Sequence, residues 1–222
     1  MPPLAELLQP ICSSPFLAEA VETLTAMLAA ERQRRSKFYE EMTPEMKVEF
    51  IEGQVVLHSP ARNAHLDVTY NVATLIGTFV RDRKLGEVKV EKCLCVFPRN
   101  DYEPDVVFFG AEKAVLLDQT TMKFPVPDLA VEVLSESTVE RDRGVKFQDF
   151  EAHGVQEYWI IDAEQRVVEQ YILNGESYEL RMKSGSGTLV SAVLPGFQVP
   201  VLALFESQAN TDALRGLLGK QA

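Results

Sequence analysis

Apolar positions along the chain recur with two periods, and the switches between them mark the elements. Between residues 61 and 85, Val72, Leu75, Ile76, Phe79 and Val80 return at three- and four-residue steps. That spacing predicts an amphipathic helix, with Gly86 as its stop. Glu87 to Phe97 and Tyr102 to Gly110 read as strands separated by a turn at Arg99-Asn100-Asp101, and residues 111–126 form a connection without a clear period. Asp128 to Leu134 is almost continuously apolar, as in a strand covered on both faces. Ser137-Thr138-Val139-Glu140 then has the signature of a capping box for a helix running to His153-Gly154, although Gly144 inside it costs about 1 kcal/mol against alanine. Gln156 to Asp162 is the next strand, and this strand–helix–strand step predicts a parallel pair with a right-handed crossover.

The flanks are built from shorter pieces. Thr43-Pro44-Glu45 predicts the start of a short helix. Val48 to Ile51 and Val55 to Leu57 flank Glu52-Gly53 as a hairpin. Val167 to Leu173, Tyr178 to Met182 and Leu189 to Ser191 read as short strands, with turns at Asn174-Gly175 and Ser184-Gly185-Ser186-Gly187. Pro195-Gly196-Phe197 to Phe205 reads as extended. Together these predict an α/β fold, a mixed sheet flanked by helices with added β-hairpins, over residues 43–205. Residues 1–42 are expected to form an N-terminal helical appendage, in which Leu17, Val21, Leu24 and Leu28 share a face; residues 206–222 form a C-terminal tail or small helix. The basic run around Arg32, Arg34, Arg35 and Lys37 is read as a solvated helix end in preference to a phosphate contact.

Charge narrows the function classes. A formal net charge of −11 argues against coating nucleic acid by bulk attraction, but leaves room for a positive groove and for carboxylates that hold a cation. Cys12, Cys93 and Cys95 include no C-x-x-C pair, which argues for a reducing, cytoplasmic setting over a disulfide framework. With His58, His65 and His153 scattered, a zinc site is not expected. No apolar run reaches the ~20 residues of a membrane span, and no secretion signal is expected at the N-terminus.

The candidate chemistry lies in two interrupted strands. Asp105 stands in Glu103-Pro104-Asp105-Val106-Val107, and Glu132 stands in Leu129-Ala130-Val131-Glu132-Val133. A buried charge is costly unless paired or bound to metal. On neighbouring strands about 4.8 Å apart, two such carboxylates at matching height can share one Mg²⁺, with the Val133 carbonyl as a third ligand. Lys146, in the following helix, is either a surface ion pair with Asp142 or a cation that orients an attacking water. Glu49 is either an exposed strand-face residue or an outer carboxylate of the cluster; His65 is either an idle helix-face histidine or a substrate contact. Asp128 and Trp159 read as structural.

Taken together, Val48-Glu49-Phe50-Ile51-Glu52-Gly53, Ser59-Pro60 with His65, Glu103-Pro104-Asp105, Pro127-Asp128-Leu129-Ala130-Val131-Glu132-Val133-Leu134-Ser135 with Ser137-Thr138, Asp142 to Lys146, and Gly154-Val155-Gln156-Glu157-Tyr158-Trp159-Ile160-Ile161-Asp162 resemble the Uma-type family of restriction-endonuclease-like proteins, within the PD-(D/E)xK nuclease superfamily. The resemblance covers about residues 40–205. It implies a restriction-endonuclease-like fold and an endonuclease hydrolysing phosphodiester bonds in DNA with Mg²⁺ or Mn²⁺. It also implies Asp105, Glu132, Lys146 and Glu49 as catalytic residues, and a homodimer that cuts two strands. The superfamily lysine would stand at Leu134; Lys146 matches a position migrated to the helix. Arg81, Arg83, Lys84, Lys89 and Lys92 are candidate DNA contacts. The alternatives are a catalytically weak module of the same fold that binds nucleic acid or protein, and a hydrolase of small phosphoesters.

Overall fold

The computed structural model describes residues 4–219. Two helices, α1 (Leu4–Cys12) and α2 (Leu17–Glu41), precede a hairpin of β1 (Val48–Ile51) and β2 (Gln54–Leu57). Then come α3 (Asn63–Arg83), β3 (Gly86–Val90), β4 (Leu94–Val96), β5 (Asp101–Tyr102), β6 (Val106–Gly110), α4 (Ala111–Ala114) and β7 (Lys123–Phe124). The second half runs β8 (Leu129–Val133), α5 (Val139–Arg143), α6 (Val145–Ala152), β9 (Glu157–Asp162), β10 (Val167–Asn174), β11 (Ser177–Ser184), β12 (Thr188–Val190), β13 (Gln198–Pro200) and α7 (Ser207–Gly219), with a 3₁₀ turn at Val201–Leu204 before α7.

The main sheet has six strands in the order β11-β10-β9-β8-β6-β3. Only β8 and β9 are parallel within it, joined through α5 and α6, as the sequence predicts. Its central strands β6, β8 and β9 are largely apolar on both faces because both faces are covered. Val106, Phe108, Leu129, Val131, Trp159 and Ile161 pack with α3 and α7; Val107, Phe109, Ala130, Tyr158 and Ile160 pack with Phe97, Tyr102 and Phe150. The period-two alternation therefore puts Asp105 and Glu132 on the same side of the sheet, the side facing α6.

Several predicted elements are subdivided. The predicted strands 87–97 and 102–110 each serve two sheets. β3 and β6 belong to the main sheet, whereas β4 and β5 belong to a second sheet of order β2-β1-β5-β4-β7. One strand turns between the sheets at Glu91-Lys92, both left-handed (φ 53° and 43°), and the other at Glu103-Pro104-Asp105. Proline there costs no ladder bond because the chain is leaving the sheet. The predicted helix 138–153 is two helices broken at Gly144, whose φ and ψ of −112° and −103° are not helical. The Ser137 and Thr138 hydroxyls both turn back to the Ser135 hydroxyl (3.2 and 3.0 Å) and no side chain caps the helix, so the predicted capping box does not form. At Thr43-Pro44-Glu45 there is a turn and no helix: the Met46 N–H donates to the Thr43 carbonyl, and Lys92 caps the Pro44 and Glu45 carbonyls at 3.0 Å. Only six residues separate α2 from β1, too few for a helix and its exits.

α3 ends at Lys84, which takes the left-handed cap (φ 54°) two residues before the predicted stop. Gly86 is needed for another reason: at φ 149° a Cβ would overlap the Phe109 carbonyl oxygen across the ladder. The basic run in α2 is not simply solvated. Arg35 forms a bidentate pair with the fully buried Asp101 (2.6 and 2.7 Å) and donates to the carbonyls of Phe97, Pro98 and Asn100. Phe38, one turn later, stacks on Phe50 of β1. Leu17, Val21, Leu24 and Leu28 remain exposed.

Candidate metal and catalytic centre

The ladder register brings three carboxylates into one row. β6 and β8 pair Val106 with Val131, so the next step sets Asp105 opposite Glu132. β3 and β6 pair Val90 with Val106, and the Glu91 N–H continues that ladder to the Asp105 carbonyl at 3.1 Å. Glu91, Asp105 and Glu132 thus cross three adjacent strands where the sheet ends. The Val133 N–H donates to Asp105 Oδ2 at 2.8 Å, so Val133 enters the site through its amide.

Two ammonium groups punctuate the row. Lys146 Nζ, from α6, lies 2.7 Å from Glu132 Oε1, 2.9 Å from Glu49 Oε1 and 3.3 Å from Asp142 Oδ1. Lys146 is 1% exposed and Glu49 is fully buried, so neither the surface ion pair nor the exposed strand-face glutamate describes them. The ion pair with Asp142 exists, but inside the protein. Lys146 hydrogen-bonds to Glu132, and its charge also faces Glu49 and Asp142. Lys47 Nζ, just before β1, lies 2.7 Å from Glu91 Oε2 and 2.9 Å from Asp105 Oδ1. Its side chain keeps 20% exposure, so it marks the open side of the site.

Histidines close the edges. His65, in the first turn of α3, has Nε2 3.3 Å from Asp105 Oδ1, so it belongs to the centre and is not an idle face residue. His58, in the segment after β2, has Nε2 3.0 Å from Glu49 Oε2. Glu103 and Glu49 are tied through the backbone: the Glu103 N–H donates to Glu49 (2.9 Å) and the Val48 N–H donates to Glu103 (2.8 Å).

The protonation equilibria follow from burial set against these partners. Burial would raise Glu49, but Lys146 and His58 outweigh it and hold its carboxyl near 2. Asp105 is likewise held below the usual range, against burial, by His65, Lys47 and the Val133 amide. Burial dominates at Glu132 and Asp142 and pushes both up, with Lys146 opposing. It also raises Glu103, to about 7. His65 is raised, because Asp105 more than offsets its burial. Six carboxylates (Glu49, Glu91, Glu103, Asp105, Glu132 and Asp142) therefore face two lysines and two histidines. Burial favours the protonated forms of Glu132, Asp142 and Glu103, so protons as well as the two lysines balance the cluster. The oxygen-rich donor set fits a divalent cation, which would take the place of such protons.

Pattern reading of the sequence missed Lys47, His58, Glu91, Asp142 and Glu103 as parts of this centre. The available signals were faint: Glu103 and Asp142 lie within the motif strings, His58 immediately precedes Ser59-Pro60, and Glu91-Lys92 breaks an otherwise regular strand.

The Uma2 family model, described as "Putative restriction endonuclease", matches residues 36–203. The chain belongs to the Uma2 family. An "Uncharacterized protein sll1609" from Synechocystis is 31% identical over 153 residues, which is 68% of this chain and 83% of that protein. A crystal structure of a "putative nuclease" from Anabaena variabilis matches with a TM-score of 0.66 at 18% identity, over 77% of this chain and 96% of that one; at this identity the likeness is one of fold. The Uma2 match begins inside α2, so Arg35 lies just outside it while its partner Asp101 lies within.

Basic residues named as DNA contacts have varied surroundings. Lys92 caps the turn at Pro44 and Glu45, and Lys89 pairs with Glu87. Arg81 lines a groove of about 490 Å³ along α3 that also includes Leu66, Tyr70, Val90 and Glu91, adjoining the carboxylate row. No helix among the described residues is long and apolar enough to cross a membrane.

Proposed function

We propose that this Uma2 protein is a divalent-metal-dependent endodeoxyribonuclease. The observation that carries this reading is the row of carboxyl groups Glu91–Asp105–Glu132 across three adjacent strands, in a chain whose family is described as "Putative restriction endonuclease". Asp105, Glu132 and the Val133 carbonyl would hold Mg²⁺ or Mn²⁺, which lowers the pKa of bound water and offsets charge on phosphate.

The protein's own groups do the rest. Asp105 is kept ionised by His65, Lys47 and the Val133 amide. Lys146 acts as a positioning residue: buried and hydrogen-bonded to Glu132, it fixes the orientation of that carboxyl group. Glu49 supports that arrangement through Lys146 and the Glu103 amide. His65 stands on the open side, within reach of a phosphate. The groove containing Tyr70 and Arg81 would carry the DNA strand past Glu91, with an aromatic face for a base and a guanidinium for phosphate.

Residues 1–42 are proposed as an appendage that joins two copies. Leu17, Val21, Leu24 and Leu28 are exposed and spaced by alternating four- and three-residue steps, the seam of a two-helix coil. Sedimentation of the parent chain and Leu24→Asp tests this: a dimer that becomes a monomer supports it, and a monomeric parent refutes it.

A second reading, a binding module with weak or no catalysis, is favoured by the depth of the centre, where Glu132 is 4% exposed. Incubation with plasmid and oligonucleotides, in Mg²⁺, Mn²⁺ or EDTA, separates the two. Cleavage that needs the metal and disappears in Asp105→Asn and Glu132→Gln supports the nuclease. DNA retention without cleavage under every condition favours the binding module.

A further inference from the structure

We propose that His65, Glu91 and Asp105 form a second divalent-cation site, for which the Lys47 ammonium is a built-in competitor. The ligand atoms of these three residues all lie within 4.8 Å of one another. Ligands about 2.1 Å from a common ion in a tetrahedral or octahedral shell stand mostly about 3.0–3.4 Å apart. Closure of the widest pair by about 1.5 Å, within the reach of side-chain rotation, would bring the three onto one ion. The three come from different elements converging on one point: His65 from the first turn of α3, Glu91 from the bend after β3, and Asp105 from the bend before β6.

The independent observation is the ammonium itself. Lys47 Nζ lies between Glu91 Oε2 (2.7 Å) and Asp105 Oδ1 (2.9 Å), where a tethered cation bridges two of the three ligands. An ammonium and a divalent ion cannot share these oxygens, because like charges at such separation repel strongly. Lys47 is also the cation free to move. Lys146 is enclosed by three carboxylates, whereas Lys47 makes two ion pairs, keeps a third donor and opens to solvent. When the ion enters, Lys47 would turn outward and present its charge at the mouth of the centre.

The donor set indicates the ion. One imidazole nitrogen with two carboxylates suits Mn²⁺ or Zn²⁺ better than Mg²⁺, which prefers oxygen. The site shares Asp105 with the centre proposed above but needs no phosphodiesterase activity. Binding alone tests it, so its failure and the failure of the nuclease reading are separable.

Mn²⁺ binding is followed by the electron paramagnetic resonance of the free ion, in the full chain and in three variants. Lys47→Met should bind Mn²⁺ at least about ten-fold more tightly than the parent. Glu91→Gln should weaken one binding step at least about ten-fold, and Glu132→Gln should leave that step unchanged. An unaltered or weaker affinity in Lys47→Met would overturn the competition. An unaltered isotherm in Glu91→Gln would overturn the site. Should Lys47→Met fail to fold, the parent still decides: during titration with Zn²⁺, the Lys47 side-chain methylene NMR signals should shift in step with ion binding. Signals that stay fixed at saturation would refute displacement.

Discussion

The buried ammonium of Lys146 offers the sharpest test of how this centre is balanced. In Lys146→Met the stem is kept and the charge removed, leaving Glu49, Glu132 and Asp142 facing one another without their shared cation. Removing one member of a buried pair costs about 3–5 kcal/mol, a large fraction of the roughly 5–15 kcal/mol that holds a domain together. The carboxylates have one escape, protonation, so the cost should depend on pH. In the parent, Glu49 is held near 2, below its unfolded value. It therefore contributes stability that is complete above about pH 4.5 and is lost as pH falls toward the folded value. Without Lys146 the burial of Glu49 is opposed only by His58 and the Glu103 amide, its folded pKa moves upward, and the sign reverses: stability is retained in acid and lost as pH rises. Urea unfolding followed by circular dichroism, at about pH 5 and about pH 8, measures this directly. The variant should lose about 3 kcal/mol or more at the higher pH and distinctly less at the lower. Replacing Glu132 with Gln in the same chain should recover part of the loss at the higher pH. A single variant within about 0.5 kcal/mol of the parent at both pH values would refute the account of Lys146 as the counter-ion of the centre.

Other perturbations test other parts of the fold. Glu103→Gln keeps an acceptor for the Val48 amide while removing a carboxyl that burial lifts to about 7; the parent loses stability between about pH 4.5 and 7, so the variant should match it in acid and exceed it near pH 8 by up to about 3 kcal/mol, read as a rise in Tm. Arg35→Ala strands the fully buried Asp101 and three carbonyls, and should cost about 3 kcal/mol in urea unfolding. Gly86→Ala drives a Cβ into the Phe109 carbonyl at a positive φ, and should cost more than about 1 kcal/mol, with protection of the β3–β6 amides from hydrogen exchange reduced first.

Much of the main sheet was legible because burial on both faces writes itself into strands such as Leu129–Val133 as an unbroken apolar run. The parallel β8–β9 step and the face of α3 were legible for the same reason, as was the interruption of those runs by Asp105 and Glu132. Other features depend on contacts remote in sequence. The capping box failed because the Ser137 hydroxyl turned back to Ser135, and the helix start at Thr43 failed because Lys92 captured the turn's carbonyls. Strand division between two sheets at Glu91 and Glu103 has no periodicity of its own, since both halves are apolar and alternate. Lys47 and His58 look like ordinary polar residues beside a hairpin. Their roles emerge only when β1 lies next to β5 and the chain bends bring Asp105 and Glu49 within reach.

Asp105 does two jobs at once. One oxygen receives the Val133 amide and so finishes the joint between β6 and β8, while the other faces Lys47 and His65. Cutting the residue back to alanine would unfasten that joint as well as remove the anion, and silence in a cleavage assay would then have two causes. Asparagine retains an acceptor for the amide and isolates the charge. The same reasoning applies to relatives of this chain: an aspartate here earns its keep as carpentry even in a protein that cuts nothing, so its presence alone is no certificate of hydrolysis.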